Sequence, residues 1–254
     1  MHRLRVATSI LGLVAVWQLI VLLKWVPDTY FPSPLATLQA LWAGLLSGEL
    51  SKALAQTASR ALVGCIAATV VGIGLALLTA RYRRLRQAFD PVAEFLRPLP
   101  PAALVPMAIF FLGLGWKLHG FILMFACLWP VYLNASSALK AVASVQLRTA
   151  DSFGYGGWDR VLRVQLPAAL PEIFIGIRIA ASIALIATVV TEMLAGRDGL
   201  GFVLNEAAMT LRIPDMFAAL LLTMLSGLVL NAVVLAVRRR AVGWHVGMTA
   251  SNRG

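Results

Sequence analysis

A short polar stretch between two long apolar runs holds the residue types that could make specific contacts. In order along the chain these residues are Arg148, Thr149, Ala150, Asp151, Gly154, Val164, Leu166 and Pro167. Residues 145–153 are long enough for about two helical turns, and the glycine at 154 permits the sharp turn that would follow them. A second helix is predicted over 158–165, ended by prolines 167 and 171. Such a stretch is suited to binding another protein, although an ordinary amphipathic loop would have a similar composition.

Residues that could support catalysis or bind a metal ion are scarce and scattered. The histidines His2, His119 and His245 lie outside the long apolar runs, whereas Cys65 and Cys127 lie inside them without a CxxC spacing. The sequence contains no HExxH motif, no acidic pair placed for acid–base work and no GxxxxGK[ST] phosphate loop. We therefore predict that the chain is not an enzyme, binds no metal or cofactor directly and does not hydrolyse ATP alone.

The composition is that of a membrane protein. Of the 254 residues 60% are hydrophobic and 13% are charged, with a mean hydropathy of +0.83, whereas soluble domains carry about 25% charged residues. Because a spanning backbone must satisfy its own hydrogen bonds, long apolar runs predict transmembrane helices. We predict one all-α, polytopic membrane domain over residues 1–254 with six transmembrane helices. The predicted spans are residues 6–23, 57–80, 98–116, 120–139, 173–196 and 216–237.

The distribution of Lys and Arg predicts the orientation. With both termini in the cytoplasm, 15 of the 22 Lys and Arg residues fall on the cytoplasmic side and six on the outer side. This bias follows the positive-inside rule and makes residues 145–167 a cytoplasmic loop. The formal net charge of +11 comes from basic clusters beside span ends, which favours contact with anionic membrane lipid over nucleic acid.

Two charged residues lie within the fifth predicted span. An ionised Arg178 or Glu192 in hydrocarbon costs at least ~2.5 kcal/mol, so each is expected to face protein, water or a partner. Snorkelling to lipid phosphates is the alternative for Arg178, and structural capping of residues 199–201 is the alternative for Glu192. Together with the neutral Asn134 and Thr188, which could equally form interhelical hydrogen bonds, they are candidates for a translocation path or gate.

The polar stretch resembles the EAA-x3-G-x9-I-x-LP loop of bacterial ABC-importer permeases. Ala150, Gly154, Leu166 and Pro167 match this pattern, and Val164 is a conservative replacement. Further segments between residues 31 and 235 resemble the nitrate/sulfonate/taurine branch of these permeases. They are Phe31–Pro34, Arg97–Pro101, Phe111–Gly115, Trp129–Asn134, Leu166–Pro171, Gly176–Arg178, Glu192–Leu194 and Gly199–Gly201.

The resemblance implies a type I ABC-importer permease-like fold in the bacterial inner membrane. The chain would form the path for a small solute such as an aliphatic sulfonate, taurine or nitrate. Its implied partners are two ATP-binding cassette ATPase subunits, a second permease copy or paralogue and an extracytoplasmic, periplasmic solute-binding protein. The ATPase subunits would bind ATP and engage residues 145–167, called the coupling loop below.

The coupling loop departs from the family pattern at Arg148 and Thr149. The family normally has Glu at the position of Arg148, so the charge is reversed in this chain. We expect Arg148 to pair with Asp151, three residues later on one helix face, or with an acid on the ATPase. A weakly coupled permease is the alternative. An ion-coupled carrier or a channel is the competing function, and it would need neither the ATPase nor the loop.

Overall fold

The computed structural model describes residues 2–27 and 29–243, and every regular element in these ranges is a helix. Residues 244–254, which the predicted domain and the predicted cytoplasmic C-terminus include, lie outside the described residues. The helices are α1 (His2–Leu22), α2 (Pro34–Leu46), α3 (Glu49–Arg81), α4 (Arg83–Leu96), α5 (Val105–Leu112), α6 (Trp116–Lys140), α7 (Ser144–Ser152), α8 (Gly157–Arg160), α9 (Leu166–Ala195), α10 (Leu200–Met209) and α11 (Ile213–Ala241). The predicted all-α class is confirmed.

Within residues 2–27 and 29–243, four helical stretches are long and apolar enough to cross a membrane: 49–81, 116–140, 157–195 and 213–241. Helices α4 and 101–112 make a fifth if they are taken as one span, broken by a bend of 89°. The predicted first span corresponds to α1, whose apolar part is Leu11–Leu22. Six membrane crossings with the stated bounds therefore stay a prediction.

The third predicted span, residues 98–116, differs most from the structure. Prolines 98, 100 and 101 lack the N–H groups of a regular helix start, so a tight 3₁₀ turn over Pro101–Leu104 precedes α5. Helix α5 has only 8 residues and ends where Gly113 adopts a φ of +69°. Eight residues of helix cover about 12 Å, which is too short to cross the hydrocarbon alone.

The chain forms two compact units, Met1–Thr57 with Glu192–Ser226 and Ala58–Thr191 with Gly227–Gly254. In the first unit, Ser33 caps α2 by accepting a hydrogen bond from the Ala36 N–H at 3.2 Å, and Pro34 fits the first helical position. The core of this unit is aliphatic. It contains Leu50, Ala53, Leu200, Val203, Ala218, Ala219 and Leu222.

Small side chains let the helices of the second unit approach closely. Its core joins α3, α6 and α9, and Cys65 and Cys127 are buried there as free thiols. The alanines of this core are Ala61, Ala68, Ala126, Ala180, Ala181, Ala184 and Ala187. Gly64 has no side chain to separate α3 from α6, since a Cβ added there would lie 2.6 Å from the Cβ of Leu123. Such packing of small residues favours helix association in lipid.

The close approach at Gly64 predicts a position-specific loss of stability. Gly64→Ala overpacks the contact with Leu123 and is expected to cost about 1–3 kcal/mol. Gly74 lies in the same helix, but nothing lies within 4 Å of a Cβ added to it, so Gly74→Ala is the matched control. Thermal unfolding of the purified protein in nanodiscs checks the difference. Equal melting temperatures for the two variants would show that α3 and α6 do not need this contact.

Candidate functional site

The first half of the coupling loop is helix α7, closed by a glycine turn. Gly154 has a φ of +79°, a left-handed conformation that glycine adopts without strain. The Gly154 N–H donates to the carbonyl of Asp151 at 3.0 Å, and the Tyr155 N–H donates to the carbonyl of Ala150 at 2.9 Å. These bonds satisfy carbonyls at the end of the helix and reverse the chain. The sharp turn predicted at Gly154 is therefore present.

An ion pair joins the two halves of the coupling loop. The Nη1 of Arg160 on α8 donates to both carboxylate oxygens of Asp151 on α7, at 3.1 and 3.3 Å. Asp151 therefore pairs with Arg160 and not with Arg148 as predicted from their spacing. Both partners are partly exposed, so the pair contributes little to the free energy of folding, about 0–1 kcal/mol. It links α7 to α8.

Arg148 lies on the exposed surface of α7. Its carbonyl accepts a hydrogen bond from the Ser152 hydroxyl at 3.1 Å, whereas its guanidinium has no ion-pair partner within the described part of the chain. A guanidinium presents five donors in a fixed plane that matches a carboxylate. This surface is therefore prepared for an acidic group supplied by another molecule.

The second half of the coupling loop continues into α9 without a break. Residues Gly157–Ala195 form one 39-residue helical stretch, so the prediction that prolines 167 and 171 end the helix is wrong. A widened π turn over Val161–Gln165 precedes Leu166 and Pro167, and Pro171 lies inside α9. A π turn relieves the clash between a proline ring and the preceding carbonyls. The second half of the loop and the long apolar helix thus form one continuous helical rod.

A surface groove of about 730 Å³ runs beside α7. Thr149 and Val164, two of the predicted coupling residues, line it, and Ala150 is buried at its base. Two apolar side chains that line it are largely exposed, Val145 at 71% and Phe153 at 77%. Exposed apolar groups beside a groove are typical of a protein-binding surface.

The four candidates for a translocation path do not form one cluster. Asn134 lines a separate groove of about 530 Å³, and its amide nitrogen donates to the Pro130 carbonyl at 2.7 Å. Arg178 is exposed, and its Nε donates to the Oδ1 of Asn231 at 2.9 Å. Thr188 is fully buried and donates to the Ala184 carbonyl of its own helix at 2.7 Å.

Glu192 is fully buried in the first unit and receives hydrogen bonds at the start of α10. Its Oε2 accepts from the Thr57 hydroxyl at 2.8 Å and from the Gly201 N–H at 3.1 Å. The Thr57 oxygen in turn accepts from the Leu200 N–H at 2.8 Å. A carboxylate at a helix N-terminus satisfies free N–H groups and complements the helix dipole. This geometry matches the capping alternative for Glu192.

No pattern in the sequence indicated the partner of Glu192. Thr57 lies 135 residues away along the chain, and a threonine at the edge of an apolar run is common. A second contact in this unit, from the Gln56 amide to the Asp198 carboxylate at 2.8 Å, was also missed. Both contacts bring the first part of α3 to the residues around α10, which no local spacing encodes.

The role of Thr57 predicts a difference between two conservative substitutions. Thr57→Val keeps the shape but leaves the buried Leu200 N–H without its acceptor, at about 1–3 kcal/mol, while the Glu192 Oε2 keeps its hydrogen bond from the Gly201 N–H. Thr57→Ser retains the hydroxyl and serves as the control. Chemical or thermal unfolding in nanodiscs measures the loss. If the valine variant is as stable as the serine variant, the hydroxyl does not stabilise the cap.

Comparison with known proteins identifies the protein family to which this chain belongs. A family model described as the binding-protein-dependent transport system inner membrane component matches residues 68–242. The taurine transport system permease protein TauC of Escherichia coli is 28% identical over 92% of this chain and 86% of its own length. The putative aliphatic sulfonates transport permease protein SsuC of Escherichia coli is 30% identical over 95% of this chain and 93% of its own.

A nitrate import permease protein, NrtB of Leptolyngbya laminosa, is 30% identical over 74% of this chain and 68% of its own length. Among solved structures, an inward-facing form of the MetNI methionine ABC transporter matches with a TM-score of 0.67. That match has 15% identity and covers 77% of this chain and 97% of the other, which confirms the type I permease fold. The chain belongs to the family of inner-membrane components of binding-protein-dependent transport systems, as a permease subunit of an ABC importer.

Proposed function

We propose that this permease forms the solute path of an ATP-driven importer together with a second copy or a paralogue. The permease lies in the bacterial inner membrane with both chain termini in the cytoplasm. Two ATPase subunits bind the coupling loops from the cytoplasmic side. An extracytoplasmic binding protein delivers the solute. The relatives are named for transport of taurine, aliphatic sulfonates and nitrate, and we propose the same class of small oxyanion for this chain.

The observation that carries the proposal is the rigid connection between the coupling loop and α9. Asp151 and Arg160 fix α7 to α8, and α8 continues through the π turn into α9. Trp158 also packs its ring edge-to-face on Tyr82, at 6.2 Å between centroids, where α3 ends and α4 begins. A displacement of α7 by the ATPase therefore acts on α9 directly and on the α3–α4 junction through an aromatic contact.

The exposed surface of α7 supports an ATPase as the binding partner. Val145 and Phe153 present apolar area beside the groove, and Arg148 presents a cation with no ion-pair partner within the described residues. Burying an unpaired guanidinium is costly, so the contacting protein must supply an acid or leave the group solvated. We propose an acidic side chain on the ATPase at the position facing Arg148.

The exposed face of α9 supports a second permease subunit. Arg178 lies about 18 Å along the helix from its start at Leu166, and Ser182 one turn later is also exposed. A charge at that depth facing lipid costs at least ~2.5 kcal/mol. We propose that a second copy or a water-filled path covers this face, with Arg178 and Asn134 on the path. We propose packing and capping roles for Thr188 and Glu192.

The test is reconstitution of the complete complex in liposomes with its binding protein. We expect the ATPase to copurify with this chain and uptake of labelled taurine to require ATP and the ATPase. Uptake at full rate without the ATPase would support a carrier or channel instead.

In the same copurification experiment, Arg148→Glu is expected to weaken binding of the ATPase to this chain. Substitution of the facing acid on the ATPase by Lys is expected to restore that binding.

The ion pair between the loop halves predicts a separate coupling defect. Asp151→Asn frees α7 from α8 and is expected to lower the amount of solute transported per ATP, several-fold, while ATPase binding persists. Asp159→Asn is the matched control, because its 3.1 Å pair with Arg163 lies within the second half of the loop. Uptake and ATP hydrolysis measured in the same proteoliposomes give the ratio. Equal ratios for both variants would contradict transmission through Asp151.

A further inference from the structure

The groove that contains Asn134 has a distinct polar composition. It lies in the second unit between the segment 97–101 and helices α6 and α9, with a volume of about 530 Å³. Its polar and charged lining consists of Arg97, Asn134, Ser137 and the indole of Trp129, and no described carboxylate lines it. All these groups donate hydrogen bonds, and one of them carries a positive charge. The groove is therefore electrostatically complementary to an anion.

The donors in this groove are not used by neighbouring side chains. Arg97 is exposed, and its guanidinium has no ion-pair partner among the residues that the structure describes. The amide of Asn134 has two N–H groups, of which the Pro130 carbonyl takes one. Ser137 lies one turn after Asn134 on the same face of α6 and is also exposed. Three side chains therefore have donors available to a ligand.

The opposite part of the lining is apolar. Phe125 packs edge-to-face on Trp129 at 5.8 Å between ring centroids, and Ile179 and Ile183 extend the apolar wall along α9. The indole nitrogen of Trp129 is buried and has no hydrogen-bond partner in the described structure. A ligand with a short aliphatic part and an anionic end would satisfy both parts of the groove.

We propose that this groove is a solute-binding site for a small organic oxyanion, held at its charged end by Arg97 with Asn134 and Ser137. The inference deepens the proposed function, because it assigns the solute class to a place in this chain. A lipid phosphate presents the same chemistry to Arg97, so the experiment must separate a dissolved anion from an anionic headgroup.

The experiment measures the electrostatic potential of the groove from the rates at which charged reagents modify a cysteine placed at its polar end. The complex carries Ser137→Cys in a background of Cys65→Ala and Cys127→Ala, in nanodiscs of phosphatidylcholine. Modification by an anionic ethylsulfonate thiosulfonate and by a cationic trimethylammonium thiosulfonate is followed by mass spectrometry of this chain. Each rate is divided by the rate with a free small thiol. Ser51→Cys, on an exposed residue of the first unit, is the matched control.

We expect the anionic reagent to be favoured at Ser137→Cys but not at Ser51→Cys. Arg97→Gln is expected to lower this preference about fivefold, as removal of one nearby charge in a partly wet site requires. Arg97→Lys is expected to keep it. A preference that Arg97→Gln leaves unchanged, or a cysteine at 137 that does not react, would overturn the proposal.

A competition separates the two sources of the anion. Millimolar ethanesulfonate is expected to slow modification of Ser137→Cys in phosphatidylcholine nanodiscs, and Arg97→Gln is expected to remove this protection. Protection that appears only with added phosphatidylglycerol, and not with ethanesulfonate, would assign the groove to lipid and overturn the proposal. Neither readout requires ATP hydrolysis, so failure of this site and failure of ATPase-driven import are distinguishable.

Discussion

Hydrocarbon supplies no hydrogen-bond partners to a peptide group, and this constraint determines where the chain is regular and where it is not. Within the described residues the apolar runs are helical, and the irregular segments are short. They occur at residues 97–100, 113–115 and 153–156, among others, where proline or glycine prevents a regular turn. The Arg97 end of the groove and the turn at Gly154 both lie at such interruptions.

In the proposed mechanism of coupling, a contact that is weak in free energy transmits movement between two helices. The pair between Asp151 and Arg160 contributes little to stability, since both side chains are partly exposed. It nevertheless links α7 to the first turn of a helical stretch of 39 residues. Such a pair contributes to the relative orientation of the two helices more than to the free energy of folding. The π turn has a similar role, because it keeps the rod continuous through Pro167.

Local features of this fold were predictable from sequence, whereas long-range ones were not. The start of α2 at Ser33-Pro34 and the turn at Gly154 follow from the preferences of the residues themselves. The extent of α9 was mispredicted because a proline signal was taken as a helix end, although a widened turn accommodates it. The partners of Glu192 and Asp151 depend on tertiary placement, so spacing along the sequence identified the charged residues without identifying what they contact.

The positive charge of Arg148 also affects which ATPase subunits can bind this permease. The loop pattern that this chain resembles has Glu in place of Arg148. A motor adapted to an acid would be repelled by Arg148, which presents the opposite sign on an exposed helix. If the proposed contact with an acid of the ATPase holds, the reversed charge restricts this permease to a motor with a complementary surface, and a change of sign on one partner requires a matching change on the other.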